Sequence, residues 1–131
     1  MATKTEMMRE RYERFSRGEV EGALDLWADD FVWEGDVAGL PWSGRYEGKA
    51  AAIGAMQLAV GGWDKFEPYP EEFIEQGDSV VVFGHYDVAK DDRTGHLMFV
   101  HLWRFRGEQI RALQLLTESL ESARILKLPL A

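Results

Sequence analysis

The chain has 131 residues, of which 46% are hydrophobic and 12% aromatic, and its net charge is −8. This length and apolar content are typical of one packed domain spanning residues 1–131 rather than of a disordered segment. The negative charge argues against nucleic acid and against an anionic membrane surface as partners, because both require a basic face. The absence of cysteine excludes disulfides and thiolate chemistry.

The amino-terminal segment is charged at Lys4, Glu6 and Arg9, where a secretory signal peptide requires an apolar stretch. No run in the sequence approaches the roughly 18 apolar residues of a membrane-spanning helix. We therefore expect a cytoplasmic protein that has no membrane partner.

Apolar residues at helical spacing predict two short helices at the start of the chain. They recur every three to four positions from Thr5 to Ser16, and Gly18 ends this first helix. The same spacing from Val20 to Trp27 predicts a second helix. Together the two would form a helical hairpin that covers one face of another element.

The period then changes to two, which predicts the first strand. Phe31, Trp33 and Gly35 share one face of it. The glycine and proline content of Val37–Gly48 is typical of a loop. A third helix is expected over about Lys49–Val60, where apolar residues return to helical spacing.

The remaining chain predicts four more strands. Two prolines in the first of them favour an edge position. A turn over residues 91–94 joins the second and third as a hairpin. The strands are expected over Lys65–Gln76, Asp78–Lys90, Gly95–Arg106 and Gln109–Thr117, followed by a short helix over Glu118–Leu126.

Three helices in the amino-terminal half followed by antiparallel strands indicate an α+β fold, without the strand–helix alternation of a parallel sheet. The hairpin strands are apolar on both faces, since Val80, Val82 and Tyr86 alternate with Val81 and Phe83. Helices cover only one face of such a sheet. A second copy of the chain is expected to cover the other, which predicts a homodimer through the sheet. The alternative is that loops or the carboxyl-terminal segment lie there.

Several segments, in this order and over nearly the whole chain, resemble the SnoaL-like branch of the nuclear-transport-factor-2-like superfamily, which includes ketosteroid isomerase. They are Gly18–Ala23, Trp27–Trp33, Leu40–Lys49, Phe73–Val82 and the strand His101–Arg106. The resemblance implies a cone-shaped, curved antiparallel sheet wrapped around three helices, a pocket in the cone, and dimers packed through the sheets. Such proteins include isomerases, cyclases, hydrolases and binding proteins, so the resemblance does not choose the activity.

Ketosteroid isomerase chemistry requires a base that removes a proton beside a carbonyl and donors that hold the resulting oxyanion. By resemblance, the base position on the first strand is occupied here by Gly35. The position of the tyrosine on the first helix is occupied by Arg11, with Tyr12 one residue later. Steroid isomerase chemistry is therefore not expected.

By resemblance, His101 occupies the oxyanion-donor position. It shares an alternation with Phe99 and Trp103, the face that the resemblance turns toward the pocket. An imidazole there can serve as base, acid or hydrogen-bond donor, so His101 is the principal catalytic candidate. The alternative is a neutral core histidine bonded to a tyrosine or a backbone carbonyl.

Three further residues are secondary catalytic candidates. The expected hairpin register places His85 near Phe99, so that His85 and Asp87 share the face of His101. Asp36 is the third, because it flanks the position of the missing base.

Two histidines and a carboxylate can hold zinc or iron when they lie on one face. His96, however, belongs to the opposite alternation from His85. No third ligand is expected beside His85 and Asp87, so the sequence predicts no metal and no cofactor.

The inner positions predict an aromatic pocket. Its expected walls are Phe15, Trp27, Trp33, Met56, Phe83, Phe99, Trp103, Leu113 and Leu115, with Trp42, Tyr46 and Trp63 at the rim, although each of these is alternatively ordinary core. The sequence predicts binding or transformation of a small hydrophobic molecule (polyketide, steroid-like or terpenoid) by cofactor-free acid–base chemistry of isomerase, cyclase or hydrolase type. The alternative is a non-catalytic ligand-binding or structural homodimer whose cone is filled by its own side chains.

Overall fold

The computed structural model describes residues 2–36 and 39–129. Part of the predicted loop over Val37–Gly48, namely Val37 and Ala38, lies outside these residues. Within the rest of that range the prediction is wrong for Gly44–Glu47, which forms a strand. Within the described residues the chain forms four helices and six strands. They are α1 (Lys4–Ser16), α2 (Val20–Ala23), β1 (Trp27–Gly35), β2 (Gly44–Glu47), α3 (Lys49–Gly61), β3 (Lys65–Gln76), β4 (Ser79–Lys90), β5 (Arg93–Arg106), β6 (Gln109–Thr117) and α4 (Ser119–Leu126).

The six strands form one sheet in the order β2-β1-β6-β5-β4-β3. The predicted α+β class is confirmed, and the proline-containing β3 lies at an edge as expected. Four of the five strand pairs are antiparallel, whereas β1 and β6 pair in parallel. Strands β3 to β6 follow one another as hairpins, while β1 enters the sheet from the helical layer, so the strand pattern alone did not determine its direction.

The helices pack on one face of the sheet. Helix α1 lies against β3 and β4, α3 against β1 and β2, and α4 against β5. Fully buried side chains such as Phe31, Phe105 and Ile110 form the core between these layers. Within the described residues, no helix combines the length and the apolar character needed to cross a membrane.

The largest difference from a predicted helix boundary is at the end of α2. Helix α2 ends at Ala23 rather than at Trp27, because Trp27 begins β1, pairs with Ile110 and stacks on Phe31 with 4.0 Å between ring centroids. In α4, the apolar spacing predicts Leu120 and Ala123 as the residues that face the core. Ala123 is buried together with Ile125, whereas Leu120 is exposed.

The β4–β5 hairpin turns over two residues, Asp91 and Asp92, rather than over the four that were predicted. Lys90 consequently pairs with Arg93. Asp91 has a φ of 54°, in the left-handed region that tight hairpin turns use. Its backbone N–H donates to Asp64 Oδ2 at 2.7 Å, which anchors the turn.

The register of β4 differs by one residue from the predicted pairing of His85 with Phe99, since Gly84 pairs with Phe99 instead. Val82, not Phe83, pairs with His101. Since side chains alternate along a strand, a shift of one residue moves each of them to the other face. The prediction that Phe83, His85 and Asp87 face the cone is therefore wrong, and all three lie on the outer face of the sheet.

Gly84 lies where two other elements approach β4 closely. A Cβ at this position would stand 2.3 Å from the backbone oxygen of Tyr69 and 2.8 Å from Cζ of Phe99. The Phe99 ring therefore occupies the space that a side chain on β4 would fill, and β3 bulges next to it, between Pro70 and Glu72.

We predict that Gly84→Ala lowers the free energy of unfolding by about 1–3 kcal/mol, because the backbone of β3 must shift to admit the methyl group. Gly54→Ala in α3 is the matched control, since no described atom outside the neighbouring helix backbone lies within 4 Å of its Cβ. This control is expected to be neutral or to stabilise by up to about 1 kcal/mol. Urea denaturation measures both, and equal stabilities of the two variants would contradict the close approach.

Candidate functional site

A cavity of about 110 Å³ lies between the concave face of the sheet and the helices α1 and α3. Most of its lining side chains are aromatic or aliphatic. Arg11 is the one charged side chain among the described residues that line it, and its guanidinium is paired with Asp25, with both N–O distances at 3.0 Å. The cavity is thus an apolar space with few polar groups.

The structure places most of the predicted wall residues around this cavity. They are Phe15, Trp27, Trp33, Trp42, Met56, Trp63, Trp103, Leu113 and Leu115. Phe99 is buried and stacks on His101 with 4.0 Å between ring centroids, so it supports the wall from behind. Tyr46 is half-buried, and its hydroxyl donates to the backbone oxygen of Ser43. Phe83 is a correction, because it is 39% exposed on the outer face.

His101 lies at the centre of a buried hydrogen-bonded cluster on the cavity wall. Its Nδ1 shares a hydrogen bond with the Tyr12 hydroxyl at 2.6 Å, and its Nε2 shares another with the Tyr86 hydroxyl. Trp103 Nε1 donates to the Tyr12 oxygen at 2.9 Å. All four side chains line the cavity. We call them the tyrosine–histidine cluster.

Burial determines the charge of this cluster. It lowers the pKa of His101 from 6.5 to about 3, because the imidazolium would lose its hydration. Burial likewise raises the pKa of Tyr12, against the smaller opposing effect of the hydrogen bond from Trp103. Burial is also the main cause that raises the pKa of Tyr86. At neutral pH the imidazole is therefore uncharged and both phenols keep their protons.

The neutral cluster has more hydrogen-bond donors than it makes hydrogen bonds within itself. Its hydrogens are those of the Trp103 indole, the His101 imidazole and the two phenols, which makes four donors for three hydrogen bonds. If Tyr12 donates to His101, the imidazole N–H donates to Tyr86, and the Tyr86 hydrogen remains. If Tyr86 donates instead, the Tyr12 hydrogen remains. In either tautomer one phenol O–H is available beside the cavity.

The two tyrosines are functional candidates that sequence reasoning missed. Tyr12 stands one residue past the position that the resemblance indicates, although its helical spacing from Met8 already placed it on the inner stripe of α1. The predicted pairing of His85 with Phe99 places Tyr86 on the face opposite His101. A turn of two residues at Asp91 would have identified it.

Asp36, a predicted catalytic candidate, is occupied by three hydrogen bonds. Its carboxylate accepts from Trp42 Nε1 at 2.7 Å, from the backbone N–H of Thr117 at 2.8 Å and from the Thr117 hydroxyl at 2.7 Å. Trp33 Nε1 in turn donates to the backbone oxygen of Trp42. Asp36 therefore fixes Trp42 at the cavity wall.

The missing base at Gly35 has a steric cause. A Cβ there would lie 2.8 Å from the backbone oxygen of Leu115. The neighbouring Glu34 points outward, where it binds Arg45 and Gln114 at 2.9 Å each. The close approach of β1 and β6 thus leaves no room for a carboxylate at this position.

The remaining catalytic candidates, His85 and Asp87, are not brought to the cavity. His85 contacts Glu71 at 2.6 Å, and Asp87 contacts His96 at 3.0 Å, all on the outer face. The predicted group of His101 with His85 and Asp87 is therefore wrong, because the sheet separates them.

A curved sheet closed by helices around an inner cavity defines the class of nuclear-transport-factor-2-like proteins. One such protein, from Burkholderia pseudomallei and of unknown function, is 28% identical, with a TM-score of 0.85 over 96% of this chain and 98% of that one. TerC, co-crystallised with polyporic acid, is 25% identical, with a TM-score of 0.83 over 94% of this chain and 97% of that one. A putative SnoaL-like polyketide cyclase from Shewanella putrefaciens, 12% identical, shares the fold, with a TM-score of 0.74 over 97% of this chain and 98% of that one.

Residues 8–113 match the family model of the SnoaL-like domain. The chain therefore belongs to the SnoaL-like domain family, as its sequence segments indicated. No curated protein matches its sequence.

The low pKa of His101 predicts a dependence of stability on pH. In the unfolded chain the imidazole takes up a proton below about pH 6.5, whereas in the folded chain it does so only near pH 3, so stability falls as the pH drops through this window. From pH 6.5 to 5 the expected loss is about 2 kcal/mol from this residue. The His101→Gln variant keeps a hydrogen-bond donor and an acceptor but does not take up a proton in this range. Its free energy of unfolding, measured by urea denaturation at each pH, should therefore fall by about 2 kcal/mol less than that of the wild type. Parallel profiles of the two proteins would contradict a neutral buried imidazole.

Proposed function

We propose that this protein binds a small, largely apolar molecule in the cavity and donates a hydrogen bond to a carbonyl or similar acceptor on it. The donor is a phenol O–H of the tyrosine–histidine cluster. The observation that carries the proposal is the excess of one donor over the hydrogen bonds that the cluster makes within itself. A bound acceptor would use the fourth donor.

The setting makes such a donor effective. A hydrogen bond is stronger in an apolar surrounding than in water, and here the donors are already oriented before a ligand enters. Trp103 holds Tyr12, and Phe99 stacks on His101, so the cluster has little freedom to rearrange. The site is suited to a neutral carbonyl rather than to a cationic ligand.

The cavity volume limits the ligand. An engineered cavity of about 150 Å³ holds benzene, and sites for drug-sized ligands span about 300–1,000 Å³. A space of about 110 Å³ therefore suits a molecule of about one ring while the walls stay in place. Among the predicted ligand classes, this favours a small polyketide- or terpenoid-derived ring over a steroid, whose four rings require the walls to move.

The groups around the cavity favour binding over acid–base catalysis. With a pKa of about 3, His101 is a weak base at neutral pH. No carboxylate is among the described residues that line the cavity. The cluster is equipped to polarise a bound carbonyl but not to remove a proton from carbon. The co-crystallisation of TerC with polyporic acid supports a small organic ligand for this chain as well. The cytoplasmic location of this protein stays a prediction.

We predict that one-ring ketones and lactones raise the melting temperature more than hydrocarbons of the same shape, because only the former accept the phenol hydrogen. At least one of the variants Tyr12→Phe and Tyr86→Phe should reduce the ratio of the hydrocarbon's Kd to the ketone's Kd by about 2–10-fold. This factor corresponds to the loss of one buried hydrogen bond. Thermal shift and calorimetric titration measure both effects.

Tyr46→Phe is the matched control, since its hydroxyl bonds to Ser43 and Tyr46 does not line the cavity. It should keep the preference of the wild type. A preference that persists in both cavity variants would overturn the role of the cluster. A complete absence of ligand-dependent shifts would favour the alternative of a cone filled by its own side chains.

We also propose that a second copy of the chain covers the outer face of the sheet. Phe83, Val100 and Leu116 lie side by side across three strands, with Met98 next to them. Met98 and Leu116 are 64% and 61% exposed. We call these four residues the outer patch. Apolar side chains grouped in this way are typical of a protein interface, which supports the homodimer.

We predict that Leu116→Lys converts a dimer to a monomer at micromolar concentration, because the interface would have to bury a charge without a partner. Leu58→Lys is the matched control, since Leu58 is an exposed leucine on α3, away from the outer patch. Sedimentation velocity gives the mass of each protein. A wild-type monomer, or a dimer that survives the Leu116→Lys change, would count against the proposed interface.

A further inference from the structure

Three potential metal ligands converge on the outer face of the sheet, away from the cavity. Asp87 on β4 pairs directly with His96 on β5. His85 precedes Asp87 by two residues and so shares its face. The register that removes His85 and Asp87 from the cavity also brings His96 to them. The sequence alone predicts His96 on the opposite face.

The side chains already lie close together. Asp87 Oδ1 is 3.0 Å from His96 Nδ1 and 3.7 Å from His85 Nε2. The two imidazole rings stack with 3.9 Å between their centroids. One ligand atom from each of the three residues lies within 4.8 Å of the other two. Zinc bonds of about 2.0–2.2 Å require ligand separations of roughly 3.4 Å, so small side-chain rotations suffice to enclose an ion.

A fourth residue orients one of the histidines. Glu71 is the extra residue of the β-bulge between Pro70 and Glu72, and its carboxylate lies 2.6 Å from His85 Nδ1. When Nδ1–H donates to this carboxylate, the lone pair of Nε2 is left on the side of Asp87. A carboxylate behind an imidazole in this way is the usual support of a histidine that binds a metal.

We propose that His85, Asp87 and His96 bind a divalent transition-metal ion of the zinc class, with Glu71 as the positioning residue. Two imidazole nitrogens and one carboxylate oxygen are a donor set for zinc, and water would complete the tetrahedron. Imidazole donors favour this ion over magnesium and calcium, which require oxygen ligands. The sheet separates this site from the tyrosine–histidine cluster, so the proposal is independent of the cavity ligand.

Calorimetric titration of the full-length protein with Zn²⁺, in an excess of Mg²⁺ that occupies nonspecific carboxylates, tests the site. One Zn²⁺ per chain is expected to bind. His96→Ala and Asp87→Asn should each weaken binding by tenfold or more, and Glu71→Gln by about tenfold through loss of the oriented imidazole. Glu72→Gln, on the same strand but outside the cluster, is the matched control and should bind as the wild type does.

The outcomes distinguish a metal site from a hydrogen-bonded network that binds no ion. Melting temperatures without zinc show that each variant is folded. An absence of saturable binding, or equal affinity in the wild type and in the His96→Ala and Asp87→Asn variants, would overturn the proposal. Met98 of the outer patch pairs with His85, so the titration is repeated with Leu116→Lys. Unchanged stoichiometry there supports a site within one chain, whereas loss of binding contradicts it.

Discussion

The two-residue turn at Asp91 and Asp92 determines how β4 pairs with β5, and each side chain on these strands takes its face from that pairing. With Val82 paired to His101, Tyr86 turns inward and reaches the imidazole. The same register turns His85 outward. A turn longer by one residue would exchange these two faces and leave His101 without its second tyrosine.

Once the register is set, burial determines the chemistry of the inner face. The tyrosine–histidine cluster is removed from water by the surrounding tryptophans and by α1, so its neutral protonation state is favoured. An uncharged cluster still has strong hydrogen-bonding groups, and each of them needs a partner in an apolar setting. The cluster satisfies nearly all of this requirement internally. The single remaining phenol hydrogen is the donor that we propose for an acceptor group on a bound ligand.

The two faces of the sheet thus carry different kinds of surface. Toward the helices lie aromatic side chains and uncharged donors, whereas the outer face combines the outer patch with histidines and carboxylates. Gly35 and Gly84 show how closely neighbouring strands of the sheet approach one another, because neither position admits a Cβ without displacement of backbone or of the Phe99 ring. Close packing at Gly35 also leaves no room on β1 for the carboxylate base that the resemblance to ketosteroid isomerase implies at this position.

The sequence by itself determined the family and most of the local elements, because apolar periodicity, glycines and prolines act over a few neighbouring residues. It did not predict the short strand β2 or the end of α2 at Ala23. It predicted β6 at its observed bounds, β3 as an edge strand, and His101 on the same face as Trp103. Only the tertiary structure decided the parallel pairing of β1 with β6, the partners of His101 and the meeting of His85 with His96. These features depend on which residues pair across strands. A difference of one residue in a turn leaves the periodicity of each strand unchanged but moves the side chains of one strand to the opposite face of the sheet.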